Sequence, residues 1–152
     1  MAGTSIEIEL DDQRINQVLD QLIRAGVSLT KPMADIGDQL LANTKGRFET
    51  GQSPNGVPWA PLSDDYIKSK RKRKSGGADA ILILDGHLSG EMGLNSGDDW
   101  MEITAPQVYA ATHQFGRDNI PARPFLGFSD EDMDYIHQVL AEYLAEIKQG
   151  AL

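Results

Sequence analysis

Cysteine is absent, which removes disulfides, thiolate metal sites and Cys nucleophiles together. Histidine is scarce: His87, His113 and His137 stand 24 or more residues apart, so no H-x-x-x-H or H-E-x-x-H pair can share a helix face. That pattern predicts no metal site. Neither GxxxxGK[ST] nor GxGxxG occurs, so no phosphate loop is encoded and no cofactor is expected. No apolar run approaches 18 residues, and MAGTSIEIEL has neither a basic region nor an apolar core. The sequence therefore predicts no membrane span and no secretory signal. It gives no specific basis for catalysis, and the expected set of catalytic residues is empty.

Basic residues are also few, 14 against 23 acidic ones, for a net charge of −9. A surface this acidic does not bind DNA broadly, because phosphate contacts need Lys and Arg. Six of the 14 lie together, at Lys68, Lys70, Arg71, Lys72, Arg73 and Lys74. The remainder of the chain holds 8 basic against 23 acidic residues. The picture is a phosphate-repelling body with one cationic loop. That loop has three readings: a solvated, poorly ordered segment, a contact with an acidic neighbour, or a contact with DNA.

The 152 residues suit one domain, spanning 1–152, with enough length to bury a core. Ile6, Ile8 and Leu10 alternate with Glu7 and Glu9 as a short strand does. Ile15, Val18, Leu19, Leu22 and Ile23 form the stripe of an amphipathic helix ending near Gly26. A second helix is predicted from Thr30 as N-cap, with Pro32 in its first turn and Gly51 as its end. Its inner face is Met33, Ile36, Leu40, Leu41, Thr44 and Phe48. Prolines and turn residues between Gln52 and Leu62 exclude regular structure. Ser63 is placed to cap a short helix, and the stretch 69–79 reads as a flexible linker. Ile81–Leu84 fits a buried strand or a helical turn equally well. Residues 100–104 alternate as a strand paired with a partner near 91–95 across Asn-Ser-Gly-Asp-Asp, and 106–115 suit a short helix. The last helix carries the fullest set of start signals. Ser129 is its N-cap, Asp132 completes a capping box, and Phe128 with Met133 forms a hydrophobic staple. Its stripe runs through Ile136, Val139, Leu140, Tyr143, Leu144 and Ile147 to about Lys148. The predicted class is α+β: a small, mostly antiparallel sheet with long N- and C-terminal helices and a flexible basic loop.

Residues 108–129 are built for docking. Tyr109, His113, Phe115, Phe125 and Phe128 supply rings, Arg117 and Arg123 supply planar cations, and Pro121 and Pro124 stiffen the backbone around Arg123. This block resembles the phage virion morphogenesis family, whose members include tail completion proteins of Mu-like tailed phages. Two further blocks carry the resemblance. Phe48 through Leu62 reads F-x₅-P-N-G-V-P-W-A-P-L, and residues 81–88 read I-L-I-L-D-G-H-L. Together the three blocks extend it over residues 30–135.

The resemblance implies a structural virion protein, not an enzyme. It would act in tail completion or head–tail joining, as a tail terminator or neck component. It would form a homo-oligomeric ring beside other neck or tail proteins, with DNA passing through the channel without tight binding. Such a protein is made in the host cytoplasm and resides in the virion. The rival reading is a nucleic-acid-binding or DNA-packaging accessory acting through residues 68–74. Candidate interface residues are Trp59, Tyr109, His113, Phe115, Arg123 and Phe125. Trp59 reads either as a core plug or as a contact. Arg123 reads either as a bidentate partner for a carboxylate at an interface or as one half of a salt bridge within the same subunit, for example to an acidic group of the final helix. His113 has no companion nucleophile and reads as a packing or interface group, with a small hydrolase using it as a third reading.

Overall fold

The computed structural model describes residues 10–62, 92–105 and 110–150. The readings placed on Ile6–Ile8, the helix after Ser63, the linker 69–79, the cationic run Lys68–Lys74, Ile81–Leu84 and Tyr109 lie outside those residues.

Helix α1, Gln13–Ala25, starts where the Asp12 carboxylate accepts from the backbone N–H groups of Arg14 and Ile15. It stops at Gly26, which takes the left-handed conformation that closes a helix. Its buried stripe is narrow: Ile15, Val18 and Leu22. Ile23, expected on the same stripe, is 66% exposed instead. Its position lies 100° round the helix from Leu22, beyond the line along which α1 meets the last helix.

Helix α2, Thr30–Thr50, ends at Gly51 as the sequence predicts. Its start differs from the expectation. The N-cap position is Leu29, which has no side-chain oxygen to offer, and Thr30 is the first helical residue. Ser28 Oγ accepts from Thr30 N–H at 3.3 Å, and Asp98 braces that start from a distant part of the chain. The Asp98 carboxylate accepts from the hydroxyls of Ser28 and Thr30, and its backbone carbonyl accepts from Leu29 N–H at 3.1 Å. The two hydroxyl donors hold the Asp98 carboxyl below its ordinary range.

Asp98 belongs to the turn of an antiparallel hairpin formed by β1, Gly93–Ser96, and β2, Met101–Thr104. Trp100 falls just outside β2, with its indole folded over Gly97 in the turn. The hairpin lies on α2, where Gly37 admits the Leu94 side chain; a Cβ at that position would sit 2.5 Å from a Leu94 methyl. Helix α3, Ala110–Phe115, follows. Helix α4, Asp130–Lys148, opens with the full Ser129–Asp132 capping box. It packs on both α1 and α2. The class is α+β, as expected.

Two apolar clusters result among the described residues. The first joins α1, α2 and α4 through Ile15, Val18, Leu22, Leu29, Ile36, Leu40, Ile136, Leu140 and Leu144. The second gathers Phe48 from the end of α2, Trp59 from the following loop, Met92, Ala110 and Phe125. Burying each large side chain contributes about 1.5–3 kcal/mol. The first cluster is built from helix stripes, whereas the second brings together segments with little regular structure of their own.

Candidate functional site

The segment after α3 first makes a tight turn. Gly116 has φ 78°, and a side chain there would strike Ala122 N and Ile120 O at 2.9 Å, so glycine is required. Arg117 and Ile120 then bond to each other in both directions, at 3.0 and 2.8 Å, across Asp118 and Asn119. Asp118 takes φ 51°, a conformation Asp tolerates better than most residues. The tip carries exposed Phe115, Arg117, Asp118, Asn119 and Ile120.

The chain next runs inward as Arg123–Gly127 without joining a sheet, so its backbone groups need other partners. Side chains supply them. Trp59 Nε1 donates to Pro124 O at 2.7 Å. Arg47 Nη1 donates to Phe125 O at 2.7 Å and to Gly127 O at 3.4 Å. Gln114 donates to Leu126 O at 2.9 Å, while its own oxygen accepts from Phe125 N and Leu126 N at 3.0 Å each. Arg123 N donates to His113 O at 2.7 Å. Residues from α2, the 51–62 loop and α3 thus do the work of a neighbouring strand.

Arg47 also closes a buried ion pair. Its Nη2 meets Asp132 Oδ2 at 2.7 Å, with both side chains at least nine-tenths buried. Asp132 receives two further donors, Asn43 Nδ2 at 2.7 Å and Ser129 N at 3.0 Å. The residue that starts α4 therefore also fixes α2 and the inward segment. Burial pulls the Arg47 guanidinium below its usual range, and the adjacent carboxylate opposes that shift.

The sequence-predicted site residues separate under this geometry. Phe125 is wholly buried, and its ring lies 5.6 Å from that of Phe48. Trp59 is buried in the same cluster, edge-on to Phe48 at 5.6 Å. Of the two readings for Trp59, the geometry matches the core plug. Arg123 is buried, with Nε donating to Ala60 O at 2.8 Å and Nη2 to Pro61 O at 3.0 Å, so it ties the 51–62 loop to the inward segment. Among the described residues, the final helix takes basic partners from Arg47, on Asp132, and from Arg14, on Asp134. His113 is partly buried; burial, and then the charge of Arg123, lower its pKa. Phe115 alone among the described candidates faces solvent, at 64% exposure. Lys68 and Lys70–Lys74 lie outside the described residues.

Sequence reasoning missed Arg47, Gln114 and Asn43. A signal for Arg47 was available: it falls on the inner stripe of α2, three residues after Thr44 and beside Phe48. A cation at such a position implies a buried acid or a set of carbonyls.

Residues 10–145 match the family model described as the phage virion morphogenesis family. The chain belongs to that family. Within it, the chain is 31% identical to Mu-like prophage FluMu G protein 1 of Haemophilus influenzae over 148 residues, covering 95% of this chain and 98% of that one. It is 29% identical to putative capsid assembly protein G of Escherichia phage Mu, over 80% of this chain and 83% of that one. It is 24% identical to tail completion protein S of Escherichia phage P2, over 91% of this chain and 97% of that one. No solved structure matches this virion morphogenesis protein. None of its described helices is long and apolar enough to cross a membrane.

Proposed function

We propose that this chain is a structural, non-enzymatic virion protein of a tailed phage or prophage. It acts in tail completion or head–tail joining, as part of a ring around the DNA path. The observation that carries the reading is the alignment with tail completion protein S along 91% of the chain, within a family match over residues 10–145. Two properties of the chain support it. An irregular segment held by side chains from three other regions adjoins an exposed tip that mixes apolar and charged side chains, an arrangement that suits a rigid docking element. The net charge of −9 suits a channel through which DNA slides without sticking.

The test is removal of the gene from its phage or prophage, followed by imaging of the particles released on induction. Heads and tails should accumulate unjoined, and supplying the chain in trans should restore joined particles. Joined, infectious particles formed without it would refute the reading. A second arm addresses the packaging-accessory alternative. Duplex DNA should bind weakly or not at all near 0.15 M salt, and sub-micromolar binding there would favour the alternative acting through residues 68–74.

A further inference from the structure

The two most exposed large apolar side chains of the described residues are Ile23 on α1 and Phe115 beside the tip. They sit on different parts of the fold, one on the helical cluster and the other beyond the inward segment. Each has charged company. Next to Phe115 stand Arg117 and Asp118, both exposed, with Ile120 at 44% exposure across the turn. Next to Ile23 stand Asp20 and Arg24, also exposed, with Asp20 one turn before Arg24 on the same face.

The tip is also unusual in its charge. Among the described residues between α2 and Lys148, the basic residues are Arg117 and Arg123, and Arg123 is buried. Arg117 is therefore the one exposed cation of that region, on a protein of net charge −9.

We propose that the tip, Phe115 to Ala122, docks on the outer face of α1 of a second copy of this chain. Phe115 and Ile120 cover Ile23, Arg117 faces Asp20, and Asp118 faces Arg24. Both charges and the apolar centre find complements in one contact, which charge pairing on an otherwise acidic protein requires. Because the two surfaces differ, the contact is head-to-tail, and it closes into a ring when the rotation between copies allows. Gln114 and Arg123 are positioning residues for this contact, since they fix the segment from which the tip projects. The inference rests on the ring reading above and names the surface that would build it.

The experiment uses the full chain and two double variants, Phe115→Ser with Arg117→Glu at the tip, and Asp20→Lys with Ile23→Ser on α1. Sedimentation velocity over a concentration series should show self-association of the wild type. Each variant should weaken it on the order of tenfold or more while melting like the wild type. Mixed together, the variants retain one intact tip and one intact α1 face, so they should form 1:1 dimers and nothing larger. A wild type that stays monomeric would overturn the proposal, as would either variant associating normally. Loss at the tip with no loss at α1 would point to a tip-to-tip contact and also overturn it. So would a mixture that fails to pair. Tip variants that self-associate normally yet fail to restore joined particles would assign the tip to another virion protein. In that case this inference falls and the tail-completion reading stands, because the latter is decided by the gene-removal images.

Discussion

The helical cluster and the loop cluster bury comparable side chains by different means. In the first, Ile15, Leu22, Leu40 and Leu140 meet because helices with apolar stripes pack together, and their backbone bonds lie within each helix. In the second, Phe125 is buried on a segment without a ladder, and Arg47, Trp59 and Gln114 provide the missing partners. Apolar stripes tolerate exchange among side chains of similar volume. A polar hub does not, because removing one member strands the others in a place water does not reach.

The contrast is broken most severely at the ion pair. Asp132→Ala leaves the Arg47 charge buried and opens the α4 capping box, and should cost about 3–5 kcal/mol. Denaturant titration measures it as a lower midpoint with an unchanged slope. A loss well under 1 kcal/mol would mean that Arg47 finds other partners or water.

A finer test sets Leu140→Ala against Gln114→Ala. Truncating Leu140 should cost about 2–5 kcal/mol and lower hydrogen-exchange protection in α1, α2 and α4 together. Removing Gln114 should cost about 1–3 kcal/mol, with the loss of protection concentrated at Phe125 and Leu126. If both variants gave the same exchange pattern, the two clusters would be one cooperative unit and the distinction drawn between them would fail.

The smallest effect is expected from pH. The pKa of His113 is lowered in the fold by burial and by Arg123, so the unfolded chain binds a proton more readily than the folded one. Stability contributed by neutral His113 is present above its ordinary pKa of 6.5, declines as pH falls below it, and levels off below the folded value. His113→Gln should remove that decline. A stability profile unchanged by the substitution would assign the slope to other groups.

The sequence made the helices and the hairpin legible because their signals are local. The stripe of α4 with its Ser129–Asp132 box, and the glycines that end α1 and α2, all act within a turn or two. The start of α2 lies one residue from the expected place: Ser28 Oγ meets the Thr30 N–H, and the bracing carboxylate is Asp98, 68 residues from Thr30. The hub was illegible because its contacts are long-range. Arg47 reaches Phe125 and Asp132 across 78 and 85 residues, and no short pattern encodes which carbonyl a guanidinium will find. Aromatic and Arg content singled out the 108–129 block. It could not separate Phe125 and Arg123, which turn inward, from Phe115, which turns out.

Those long separations also bear on the order in which the molecule is made. When α1 and α2 have emerged from a ribosome, neither the inward segment nor α4 exists, and Arg47 has nothing to bind. Loop closure over some 80 residues costs more entropy than a helical turn and favours late formation. The exposed tip acquires its fixed direction only when Arg47, Trp59 and Gln114 have all found the inward segment, so an unfinished chain has no rigid projection to offer. Rigidity of the tip is thereby tied to emergence of the inward segment from the ribosome.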